Sequence, residues 1–120
     1  MKVIIAGSRT ITDYITIRIA IQEALYDWGV GYEEVNEVIS GNAFGVDKLG
    51  VEWAVKNNKK FRLFPALWDV HGKFAGYIRN VEMAEYADYL IAIWDGKSKG
   101  TQHMITIASK KGLKIYVHKI

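Results

Sequence analysis

The chain has 120 residues, of which 50% are hydrophobic, a size and composition that fit one compact domain and exclude a disordered chain. Its formal charge of +3 favours a small anionic ligand and falls short of the concentrated basic stripe that a nucleic-acid binder shows. The lack of cysteine excludes a disulfide framework, a thiolate metal site and a cysteine nucleophile, and it fits a reducing compartment.

The opening apolar run breaks at Gly7, too early for a signal peptide or a membrane span, so a cytoplasmic protein without a membrane partner is expected. Val3–Ala6 is short, apolar and β-branched and predicts a buried parallel strand. Ile17, Ile21, Ala24, Leu25 and Trp28 follow at helical spacing, with Thr12 or Asp13 as N-cap and Gly29 as terminator. Val35–Ser40 predicts a second strand. Val46, Leu49, Trp53 and Ala54 then mark a second helix ending near Asn57 and Asn58, and Phe61–Phe64 a third strand closed by Pro65. Residues 65–76, PALWDVHGKFAG, show neither period and predict a long connection of the kind that forms lids or binding loops. Tyr77, Val81 and Ala84 predict a third helix, Tyr89–Trp94 a fourth strand, Met104, Ile107 and Ala108 a fourth helix, and Lys114–Val117 a last strand. Strand and helix alternate throughout. The fold class is therefore α/β: a single domain, 1–120, with a Rossmann-like open parallel sheet of about five strands and helices on both faces, in three layers.

In such a sheet the ligand crevice lies beyond the carboxyl ends of the strands, where the strand order reverses. Three loops leaving strands combine glycine with small hydroxyl residues: GSRT at 7–10, SGNAFGVD at 40–47 and DGKSKGT at 95–101. Each precedes a helix, whose unpaired N–H groups and positive dipole end favour an anion such as phosphate. Taken singly, each has a plain structural role: Gly7, Gly41 and Gly45 as turn residues, Asp47 as a charge favourable at a helix start, Ser98 and Thr101 as caps. The GxGxxG fingerprint is missing from the first loop, which disfavours a classical NAD-binding domain. The letters GKS at 96–98 do not make a P-loop either, because the glycine required five residues earlier is Ile91.

Two arginines stand beside these loops. Arg9 directly follows the first glycine, and Arg79 opens the third predicted helix; a guanidinium grips phosphate or carboxylate through two parallel hydrogen bonds. Spacing alone fits Arg79 equally to a surface ion pair with Glu82 or Glu85. His71 and His103 are isolated, and no pair of histidines or carboxylates has metal-ligand spacing, so neither a metal nor a cofactor is expected.

Six segments in register resemble the small YspA-type proteins of the SLOG superfamily, to which the DprA-like and Lonely Guy proteins also belong. They are GSR at 7–9, SGNAFGVD at 40–47, FPA at 64–66, IRNVEM at 78–83, ADYLIAIWDGKSKGT at 87–101 and KIYV at 114–117, and they cover nearly the whole chain. The resemblance implies a Rossmann-like domain that binds a nucleotide or nucleotide-derived molecule through glycine-rich strand-end loops. It implies as ligand-binding residues Gly7, Ser8 and Arg9, then Gly41, Gly45 and Asp47, then Arg79 and Asn80, and finally Asp95, Gly96, Ser98, Gly100 and Thr101. Where the family commonly carries a second glycine and an arginine, this chain has Asn42 and Phe44; a possible phosphate partner is lost, and Phe44 offers a face on which a base can stack. In the Lonely Guy phosphoribohydrolases a glutamate stands three residues after the threonine of the last loop. Here that position is Met104, so Arg79 with Glu82 or Asp95 is the candidate catalytic set.

The leading expectation is a binding module that senses, carries or sequesters a nucleotide-derived small molecule. Its alternative is a hydrolase of an N-glycosidic or phosphate bond. Single-stranded nucleic-acid binding, with tryptophan and tyrosine as stacking surfaces, ranks third. Self-association is expected from the superfamily, with Trp53, Trp68 or Phe74 contributing.

Overall fold

The computed structural model describes residues 1–120. Five strands form one sheet: β1 (Lys2–Gly7), β2 (Glu37–Ser40), β3 (Lys60–Leu63), β4 (Tyr89–Trp94) and β5 (Lys114–Lys119), in the order β3-β2-β1-β4-β5. Every neighbouring pair is parallel. Parallel neighbours cannot be joined by a hairpin, so a crossover must separate each strand from the next. The crossovers are α1 (Tyr14–Trp28), α2 (Val46–Lys56), a four-residue α3 (Trp68–His71) leading into α4 (Ala75–Tyr86), and α5 (Lys99–Lys110).

Alternation along the central strands makes the three layers. Val3 and Ile5 of β1 enter one core cluster with Ile17, Ile21 and Leu25 of α1 and Trp53 of α2. Ile4 and Ala6 enter a second cluster with Met83 and Ala84 of α4 and Met104 and Ala108 of α5. Both faces of β1 and β4 are thus covered, which is why these strands read as continuous apolar runs.

The first helix has the ends expected of it. Asp13 accepts a hydrogen bond from the Ile15 N–H at 3.0 Å, and Gly29 closes the helix in the left-handed region at φ 71°. Other boundaries moved for local reasons. β2 starts at Glu37 because Tyr32–Glu34 forms a 3₁₀ turn, whose closing bond runs from the Val35 N–H to the Tyr32 carbonyl. The 65–76 stretch is not a plain loop: α3 and a second 3₁₀ turn (Gly72–Phe74) lead directly into α4, which begins at Ala75. Pieces of three or four residues are too short to show a period.

The face of α4 also differs from expectation. Of Tyr77, Val81 and Ala84 only Ala84 is buried; Ala75, Asn80 and Met83 complete the inward stripe. A polar residue holds a core position that a hydrophobic pattern assigns elsewhere. Trp53 is fully buried, stacked on Tyr32 at 6.1 Å, and so is removed from the expected subunit contacts, whereas Trp68 and Phe74 are about half exposed. No helix is long and apolar enough to cross a membrane.

Trp53 joins α2 to α1 and the sheet, so Trp53→Ala is expected to destabilise the fold by about 3–5 kcal/mol, read as a lowered urea midpoint at unchanged slope.

Candidate functional site

β1 lies between β2 and β4, and the chain reaches these two neighbours by crossovers on opposite faces of the sheet. Above the carboxyl ends of β1 and β4 the covering layers part, and a cavity of about 480 Å³ lies there. Pairing brings the first and last loops together: Gly7 is in register with Ile93, and the Ser8 N–H donates to the Ile93 carbonyl at 3.1 Å. The second loop is pressed against the first. Gly45 has φ 78°, and a Cβ there would lie 2.6 Å from the Ser8 and Arg9 carbonyl oxygens, so only glycine fits.

The arginine–asparagine pair ties these loops to α4. Arg79 is partly buried and donates from Nη1 to the Gly41 carbonyl at 2.8 Å and from Nε to Asn80 Oδ1 at 3.1 Å. A side chain at Gly41 would collide with that guanidinium. Neither Glu82 nor Glu85 pairs with Arg79. Glu85 bonds Lys111 at 3.3 Å, and Glu82 is exposed and lines neither of the cavities described here. Asn80 is 5% exposed; its amide donates to the Gly100 carbonyl at 3.2 Å and meets His103 Nδ1 at 3.1 Å. Tyr77 packs on the His103 ring at 4.5 Å between centroids. One asparagine thereby sets the Arg79 guanidinium against the start of α5.

The last loop is partly closed on itself. Asp95 Oδ1 accepts from the Lys97 and Ser98 N–H groups, both at 2.8 Å, and Ser98 caps α5 by accepting from the Thr101 N–H. These N–H groups hold the Asp95 carboxyl below its usual range. Asp95, Ser98, Gly100 and Thr101 line the cavity, whereas Gly96, at φ 79°, serves the turn and lines neither cavity.

Two features of the wall are unusual. Ser8 is buried at 2% exposure, and its Oγ is the one buried side-chain polar atom with no hydrogen-bond partner, although it lies near enough to Asp95 to help hold that carboxyl low. Asp47 is 5% exposed beneath the second loop and accepts from the Ala43 N–H at 3.3 Å. Burial pushes its carboxyl up to about 6; Arg79, the Ala43 and Gly7 N–H groups and Arg9 pull the other way.

Of the residues singled out from sequence, Gly7, Ser8, Arg9, Asp47, Arg79, Asn80, Asp95, Ser98, Gly100 and Thr101 share this cavity. Gly41, Asn42 and Phe44 line an adjoining one of about 280 Å³, and Gly45 supports both loops from behind. Asn42 has φ 59°, in the left-handed region that glycine favours. Sequence reasoning gave Trp68 to a subunit contact and Tyr77 to a helix face, and did not place Lys73, Met83 or Met104 at the cavity. Trp68 and Lys73 were signalled only by the aperiodic character of 65–76.

The Gene 61 protein of Mycobacterium phage D29 is 34% identical to this chain over 120 residues, an alignment spanning 95% of this chain and 93% of that protein. The chain belongs to the family of that phage protein. No family model matches it, and no solved structure matches it significantly.

The Asp47 environment has a pH signature. Between its ordinary value of 3.8 and about 6 the folded protein keeps a proton that the unfolded chain has released, so this contribution to stability falls as pH rises through that window. Asp47→Asn is neutral throughout. Relative to the parent protein it is expected to gain up to roughly 3 kcal/mol between about pH 4 and about pH 7, at about 1.4 kcal/mol per pH unit of displacement. Urea unfolding of both proteins across that range measures it, and a constant difference would refute the assignment.

Proposed function

We propose that the protein binds a nucleotide or nucleotide-derived small molecule in the cleft above β1 and β4, as a sensor, carrier or sequestering module. One observation carries the reading: Arg9, Arg79 and the start of α5 line the same cavity. Arg79 is held by Nε and Nη1, and Nη2 stays free for an anion. Arg9 makes no ion pair. The positive end of the α5 dipole adds to both, which suits a phosphate. Trp68 and Tyr77, 52% and 41% exposed, supply aromatic surface for a base, and Met83 and Met104 supply apolar lining. The six-segment resemblance to YspA-type SLOG proteins supports the same reading.

Calorimetry against mononucleotides, cyclic nucleotides and ADP-ribose-type compounds tests it. Binding is expected, weakened about ten- to hundredfold by Arg79→Ala, as suits the loss of a charged hydrogen-bond donor. Silence across the panel would refute it.

A hydrolase is the second reading, favoured by a pair of carboxyl groups displaced in opposite directions within the cavity that Arg79 lines. Asp47 is pushed up to about 6 and Asp95 is held low, a separation that suits one group to proton transfer and the other to charge stabilisation. Incubation with nucleoside monophosphates should then release base or phosphate on chromatography, and Asp47→Asn should abolish the release. Intact nucleotides would exclude hydrolysis.

A further inference from the structure

The two cavities are adjacent, and Arg9, Ala43, Trp68 and Arg79 line both. Their charge is uneven. Asp47, Asp95 and Lys73 line the first along with the shared arginines, whereas the second has Lys48 with the two shared arginines and no carboxylate. An anionic group is therefore best placed at the shared wall or on the side of the second cavity. Aromatic surface lies on both sides of that wall: Tyr77 in the first cavity, Phe44 in the second and Trp68 in common. Phe44 is 71% exposed and contacts no core cluster. Lys48 Nζ sits 4.9 Å from its ring centroid, which leaves the aromatic face in a positive field. Beside it Asn42 holds a left-handed backbone, its N–H bonded to Ser40 Oγ at 3.0 Å. Each cavity thus has a ring of its own, and the two arginines and Trp68 belong to both.

We infer that the ligand is two-lobed: two ring-bearing groups joined through a phosphate or pyrophosphate bridge, one lobe in each cavity and the bridge at Arg9 and Arg79. The class is that of dinucleoside pyrophosphates rather than mononucleotides. This inference rests on the nucleotide reading above and adds the second lobe. Phe44 is its specificity-determining residue, because a base in the second cavity stacks there. The arginines serve the bridge, which either class of ligand offers.

The test compares the four nucleoside monophosphates with the matching symmetrical dinucleoside pyrophosphates by calorimetry, on the parent protein and on Phe44→Ala. Phe44 is exposed, so the variant is expected to fold, which circular dichroism checks. The best dinucleoside pyrophosphate is expected to bind about tenfold or more tightly than its mononucleotide, the effect of one extra stacked base, and Phe44→Ala should bring that ratio close to one. Equal affinities in the parent protein, or a ratio untouched by Phe44→Ala, would overturn the two-lobed ligand and leave mononucleotide binding standing. Silence towards both classes would overturn the nucleotide reading and this inference with it.

Discussion

The parallel pairing of β1 with β4 is the constraint on which the rest depends. Because parallel strands need crossovers, the chain builds β1, β2 and β3 outward on one side, then returns to place β4 against the free edge of β1. The helices before and after that return lie on opposite faces, and the carboxyl ends of β1 and β4 are left open where they diverge. Three loops far apart in sequence meet at that gap. The cleft follows from the winding of the chain and needs no dedicated domain.

What fills the gap is a polar network built against the cost of burial. Asp47 and Arg79 are buried or largely so, and burial opposes the charge of each. The opposed charges offset part of that cost, and hydrogen bonds from Arg79 to Gly41 and Asn80 hold the guanidinium in one place. Asn80 extends the chain of contacts to Gly100 and His103 at the start of α5. Loops from β2 and β4 and the helix α4 are thereby locked to each other through side chains of two adjacent residues. A site held in this way needs little rearrangement to receive an anion, which lowers the entropic cost of binding.

The features legible beforehand were those set by local chemistry. The apolar runs Val3–Ala6 and Tyr89–Trp94, a cap at Thr12 or Asp13, the left-handed stop at Gly29 and the glycine-bearing loops all follow from rules that act within a few residues. Arg79 and Asn80 were legible through the resemblance, though their partners were not, since Gly41 lies 38 residues away from Arg79 and Gly100 lies 20 from Asn80. Whether Trp53 and Glu82 face core, cleft or solvent was not legible for one reason: sequence gives a residue's type and its period, but whether a given face is covered depends on which element packs there.

By itself the sequence determined that strands alternate with helices, that the runs Val3–Ala6 and Tyr89–Trp94 are buried on both faces, that the strands must be parallel, and that glycine-bearing loops follow three of them. These properties are carried by patterns of a few neighbouring residues. Only the tertiary structure decided the order β3-β2-β1-β4-β5, the burial of Asp47, the solitary Ser8 hydroxyl and the joining of two cavities at Arg9 and Arg79. Each of these is a relation between segments distant along the chain, set by which layers cover which strands, and no local rule can express it.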